Sequence, residues 1–179
     1  MRYIALMRGI NVGGKNKLPM PALKAAFEAE GFTDVATYIN SGNILFSSAL
    51  DDIVRLRALC EGLILRDFGL SVPVGVITAQ SLVDAVAHAP GWWDDGSDAK
   101  HNAIFVLPPA TVEDIYAAVG QAKPEYETVG HYGNVIFWSA PIKTFSRTRW
   151  SKVVGSPVYG SITIRNSSTT RKLAQLALL

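Results

Sequence analysis

Apolar and polar positions recur with two periods along this chain, and the order of those periods predicts the architecture. Tyr3 to Met7 is an apolar run of strand length. From Met20 to about Glu30 the period becomes helical. Pro21 suits a first turn, Leu23 and Phe27 share a face, and Gly31 stops the helix. Val35, Thr37 and Ile39 alternate with Ala36 and Tyr38 as a strand, and Ser41-Gly42 turns the chain into a second strand from Asn43 to Ser47. Asp51 or Asp52 caps a helix with Ile53, Leu56, Cys60, Leu63, Ile64 and Phe68 as its apolar stripe, ended by Gly69. Val72 to Val76 reads as a strand, placed at a sheet edge by Pro73. Thr78 or Ser81 opens a short helix that Pro90 closes.

Residues 90–100 read as a loop between halves, and the second half repeats the order. Ala103 to Leu107 is a continuous apolar run, like a buried strand. Thr111 with Asp114 opens a helix to Gly120 as a capping box. Tyr126 to Gly130 and Val135 to Ser139 form a hairpin around Tyr132-Gly133-Asn134. Ser146 to Val154 predicts a helix, Ser161 to Arg165 a strand, and a last helix starts near Ser168. Gly42-Asn43-Ile44-Leu45-Phe46 is echoed by Gly133-Asn134-Val135-Ile136-Phe137, at the same place in each hairpin. Each half is β-α-β-β-α-β, the ferredoxin-like order. The expected class is α+β: two ferredoxin-like subdomains in tandem, at residues 1–90 and 101–179, with a C-terminal helix.

Composition keeps this picture within a folded protein. The chain has 179 residues, of which 49% are hydrophobic and 18% charged. No stretch predicts a membrane span, no signal peptide is visible, and the single cysteine, Cys60, suits a reducing compartment. The expected location is the cytoplasm, with no membrane partner. Oligomeric state leaves no mark in the sequence.

Charge changes the picture more. The net charge is +2, but all 15 acids lie between Glu28 and Glu127. Residues 1–27 carry five bases and no acid, and residues 128–179 carry seven and no acid. If the ends meet in the fold they form a basic surface.

Candidate chemistry gathers in three acid-free segments. The first is Arg8-Gly9-Ile10-Asn11-Val12-Gly13-Gly14-Lys15-Asn16-Lys17. Glycine lets a ligand approach the backbone, and exposed amides beside fixed cations bind anions. Gly9, Gly14 and Lys15 match the spacing of a phosphate-binding P-loop, but Asn16 replaces the hydroxyl that would hold Mg²⁺. The helix starts near Met20, too late to meet the phosphate. The second segment offers Asn40, Ser41 and Asn43 at a strand end. In the third, Arg165 leads through Asn166 into the helix start at Ser167 and Thr169, with Lys172 beyond, a positive N-terminus open to phosphate or carboxylate. Each segment also has a structural reading, as a glycine-rich connection, a turn and a plain cap.

Catalytic and metal signatures are missing. Cys60 reads as an inert core thiol, and His88, His101 and His131 lack ligand spacing. Asp94, Asp95 and Asp98 read as a solvated loop. Trp92, Trp93, Trp138 and Trp150 could stack on bases, although Trp138 reads as core. No cofactor, metal or catalytic residue is assigned, and whether the protein is an enzyme stays open.

Leu6-x-Arg8-Gly9-Ile10-Asn11-Val12-Gly13-Gly14-Lys15-Asn16-Lys17-x-x-Met20, then Gly31-Phe32-x-Asp34-Val35-x-Thr37-Tyr38-Ile39-x-Ser41-Gly42-Asn43-Ile44-x-Phe46, resemble a bacterial family known as domain of unknown function 1697. Arg165-Asn166-x-x-Thr169-x-x-Lys172-Leu173 resembles its C-terminal pattern, with Ser167 where the family carries Trp. The resemblance implies two tandem ferredoxin-like subdomains and no activity. It also implies that the three polar segments share one site.

The expected ligand is phosphate-bearing, a nucleotide or nucleic acid. Arg8, Lys15 and Lys17 would supply charge, and Gly13-Gly14 amides would cradle the anion. Asn11, Asn40, Ser41 and Asn43 would orient it, and Arg165 with Ser167–Thr170 would close the far side. The alternatives are a transferase or hydrolase acting on a phosphorylated substrate, and a protein-interaction module using the sheet or its edge at Val72 to Val76.

Overall fold

The computed structural model describes all 179 residues, in two compact units. One comprises Met1–Val83 with Leu173–Leu179, the other Asp84–Lys172. In the first, strand β1 (Arg2–Met7) leads to helix α1 (Met20–Ala29), strands β2 (Thr33–Tyr38) and β3 (Asn43–Ser47), helix α2 (Ile53–Phe68) and strand β4 (Val74–Thr78). Helix α3 (Ala79–Ala87) follows. The antiparallel sheet runs β2-β3-β1-β4, the ferredoxin-like order, with β4 at an edge as Pro73 predicts.

Local chemistry sets the helix ends. The Asp52 carboxylate accepts the Arg55 N–H at 3.0 Å and starts α2, and Gly69, at φ +66°, ends it. The helices cover one sheet face. Tyr3, Ala5 and Met7 of β1 and Ile44 and Phe46 of β3 pack there with Leu23, Phe27, Leu56, Cys60, Leu63 and Ile64. Phe46 lies 5.7 Å from Tyr3, 5.6 Å from Phe27 and 4.6 Å from Phe32, ring centre to ring centre. Ile4, Leu6 and Leu45 point to the other face and are also fully buried. Burial on both faces explains why β1 reads as an unbroken apolar run.

The second unit carries β5 (Ala99–Val106), α4 (Val112–Val119), β6 (Thr128–Tyr132), β7 (Val135–Pro141), β8 (Ile162–Asn166) and the first part of α5 (Ser167–Ala177), up to Lys172. Its antiparallel sheet runs β6-β7-β5-β8. Thr111 and Asp114 form the expected capping box. The helix expected over Ser146–Val154 is instead part of a run of three 3-10 turns, Ile142–Arg147, Trp150–Gly155 and Pro157–Ser161. Extended backbone at Thr148 and Ser156, with Pro157 next, divides the segment into pieces too short for α-helix. Burial of Trp150 and Val153 against Ile104, Ile136 and Trp138 holds it in place of a second helix.

The hairpin echo is displaced by one residue in its facing. Ile44 and Phe46 point to the helix layer of their sheet, but Ile136 and Trp138 do so in the second, leaving Phe137 on the opposite face. There Trp93 meets Phe137 edge to face at 4.9 Å, and Gly130 leaves room for the ring of Trp92. The 90s loop thus covers part of its own sheet.

Candidate functional site

Residues 8–17 form a small hairpin. The Lys15 N–H donates to the Val12 carbonyl at 3.1 Å, and the Asn11 N–H to that of Asn16 at 3.1 Å. Gly13 and Gly14 stand at φ +58° and +75°, the left-handed pair that a type I′ turn requires. This is not P-loop geometry. Helix α1 begins five residues after Lys15, behind Pro19, so no helix N-terminus faces the loop.

The asparagines stitch this hairpin to the molecule. Asn11 Nδ2 donates to the Leu18 carbonyl at 2.9 Å and to that of Asn40 at 2.8 Å, while Asn11 Oδ1 accepts the Leu18 N–H at 2.8 Å. Asn16 Nδ2 donates to the Gly9 carbonyl. Asn43 is fully buried and donates to the Tyr38 carbonyl and to Ser41 Oγ. The segment around Asn40–Asn43 therefore lies against the first segment, as a shared site would need. Its Asn43 amide is engaged internally, and exposed Asn40 contributes its backbone carbonyl. Lys15 and Lys17 are exposed, and the ion pairs of this unit lie elsewhere, at Lys24–Glu28, Arg57–Glu61 and Arg66 with Glu30 and Asp67.

The third segment belongs to the second unit. Arg165 is buried, its guanidinium donating to Thr163 Oγ1 and to the Ile164 carbonyl. Burial pulls its pKa down to about 10, so it stays cationic near neutrality. Asn166 caps α5, its Oδ1 accepting the Thr169 N–H at 2.8 Å and its carbonyl accepting the Thr170 hydroxyl. Lys172 is exposed. The segment holds no acid of its own, but the loop supplies one. Asp94 accepts the Ser167 hydroxyl at 2.7 Å and pairs with Arg171. Partial burial opposes ionisation of Asp94, and the Ser167 hydroxyl and Arg171 guanidinium outweigh it, so its carboxyl titrates below the ordinary range. Asp94 is therefore an anchor rather than part of a solvated loop.

Two further groups went unassigned in the sequence. Buried His101 presents Nδ1 to the Asp94 N–H at 3.0 Å and to Ser139 Oγ at 2.7 Å. Buried Glu127 accepts four N–H groups, from Lys123, Trp138 Nε1, Arg149 and Trp150. A groove of about 470 Å³ runs past Asp94, Lys100, His101, Asn102, Asn166 and Ser168, and one of about 210 Å³ past Asp95, His101, Glu127 and Ser139. Only the alternation of β5 hinted at His101, since it shares a face with Ala103 and Phe105. Nothing local marks Glu127, whose partners come from three separate stretches of chain.

A family model described as "Protein of unknown function (DUF1697)" matches residues 1–137, and the chain belongs to that family. Among solved structures it is similar to the conserved bacterial protein SP0830 from Streptococcus pneumoniae, at 31% identity over 98% of both chains with a TM-score of 0.84. No curated protein matches it. No helix is long and apolar enough to cross a membrane.

Proposed function

We propose that the hairpin at residues 8–17 binds a phosphate-bearing anion, a nucleotide or a nucleic acid. The observation that carries this reading is a division of labour within the loop. Its asparagines Asn11 and Asn16 are spent on internal hydrogen bonds, whereas Lys15 and Lys17 are exposed. Gly13 and Gly14, exposed at the tip, let an anion reach the backbone, and Arg8 stands at the base. Asn11, Ser41 and Asn43 act here by holding the loop, and the exposed Asn40 side chain is left to orient the ligand. The reading rests on the hairpin rather than on the sheet faces, where Ile4, Leu6, Leu45, Ala103, Phe105 and Phe137 are buried.

The test is binding of inorganic phosphate, ATP and short duplexes to the full chain, with and without Lys15→Ala/Lys17→Ala. The double variant keeps its melting temperature and loses binding, and the wild-type affinity falls with salt. Equal affinity in both proteins overturns the reading.

A further inference from the structure

His101 is a buried titratable group of the second unit whose surroundings commit its neutral ring to one tautomer. Its side chain is 7% exposed. The backbone N–H of Asp94 can only donate, so Nδ1, 3.0 Å away, must carry a lone pair, and the ring proton of the neutral imidazole sits on Nε2. Nε2 faces Ser97 Oγ at 3.5 Å and Asp95 Oδ1 at 3.6 Å. Ser139 Oγ, 2.7 Å from Nδ1 on β7, can donate or accept. Asp94 then holds the start of α5 through Ser167 and Arg171, and the Arg171 guanidinium lies 5.1 Å over Trp93.

We propose that His101 is a proton-operated latch, closed when the ring is neutral, that joins the 94–97 loop to β7 and through Asp94 sets the position of the α5 start. A second proton goes on Nδ1. The new Nδ1–H can turn the Ser139 hydroxyl into an acceptor, but it opposes the Asp94 N–H, donor against donor. The peptide before Asp94 must move away. The other charges near the ring are arranged to let this happen. Asp95 gains a cationic partner at Nε2, and Asp94 adds a second negative charge from the same loop. Glu127 shares the smaller groove but is tied to four N–H donors, Glu125 lines the same groove, and Lys100 is next to His101 on its own strand. Movement of the loop reshapes the larger groove, which Asp94, Ser97 and His101 line together with Asn166 and Ser168.

The experiment is amide and imidazole NMR on the full chain between about pH 8 and about pH 5, the interval over which an imidazole commonly changes charge. At the upper end His101 is the Nε2–H tautomer. As it titrates, the Asp94 amide, the Arg171 Nε–H and the Trp93 indole shift with the same midpoint. In His101→Asn the side-chain oxygen keeps an acceptor near the Asp94 N–H, and those three signals stay still. Asp94 amide exchange is equal in the two proteins at the upper pH and about tenfold faster in the wild type at the lower, the size expected for one lost hydrogen bond. A Nδ1–H tautomer at high pH overturns the proposal, even should the variant fail to fold. So does an Asp94 signal that ignores the His101 titration, or one that moves equally in His101→Asn.

Discussion

Gly42 lies directly on Ile10. A β-carbon at position 42 would stand 2.7 Å from Ile10 Cδ1 and 2.7 Å from Met7 Cβ, and the residue is at φ +83°. Contact and conformation both demand glycine, and the contact fastens the basic hairpin to the sheet. Gly42→Ala is expected to cost about 2–4 kcal/mol, overpacking and left-handed strain together. Gly133 is the matching residue of the second hairpin, at φ +53°, where an added β-carbon meets nothing. Gly133→Ala should cost only about 1 kcal/mol. Urea unfolding of the pair checks the difference.

Asn11 makes three bonds with one amide, two to Leu18 and one to Asn40. Asn11→Ala removes them and leaves an alanine at φ +53°. The expected loss is about 2–3 kcal/mol, with much faster exchange of the Leu18 amide. An unchanged Leu18 amide would show that the stitch carries no weight.

Periodicity made the fold legible wherever one residue or one short motif decides an outcome. Asp52 and Gly69 bound α2, Thr111 and Asp114 start α4, and Pro73 keeps β4 at an edge, each through a local rule. The 142–161 segment failed because its conformation is decided by distant partners, Glu127 and the core around Trp150. For the same reason the facing of Phe137 could not be read from its likeness to Phe46: pairing with β5, not the motif, sets it. In the candidate site the glycine-rich basic loop stood out in the sequence, but its asparagines looked like ligand groups. Their internal bonds to Leu18, Asn40, Gly9 and Tyr38 depend on the folded turn and have no sequence signature.

Glu127 is a buried carboxylate that four N–H groups satisfy. Glu127→Gln presents an NH₂ where two of those donors need an acceptor. A loss of about 2–4 kcal/mol is expected, since a buried donor set is left unmatched. Detachment of the Trp150 segment should red-shift the tryptophan emission. Emission and midpoint both equal to wild type would refute this role.

Asp94 stabilises the α5 start only while ionised. Its folded pKa lies below the unfolded value, so its contribution is complete above the ordinary carboxylate range, about 3.9, and is lost as pH falls through the folded value. Asp94→Asn should remove about 1–2 kcal/mol near neutrality, discounted for the partial exposure of Arg171. The gap between the two proteins closes in acid, read as converging melting temperatures. A gap that widens below about pH 4 has the wrong sign for this pair.

Cys60 gives the converse pH dependence. Its thiol lies in the α2 core beside Leu56 and Leu63, and burial pushes its pKa up to about 12, with Glu61 and Glu30 adding to the rise. A thiol whose folded pKa is raised holds its proton more tightly when folded. Its contribution to stability is therefore complete below the unfolded value, near 9, and is lost as pH rises toward 12. Two measurements follow. A thiol reagent at about pH 8 should react with native protein only at the rate of unfolding, and at once in denaturant, because the thiolate is the nucleophile. The fall in melting temperature between pH 9 and about pH 11 should be shallower in Cys60→Ala, although that variant starts lower by about 1–2 kcal/mol for the missing sulfur. Fast labelling of the native chain, or parallel pH curves for the two proteins, would show that Cys60 is open to solvent and contradict its place in the core.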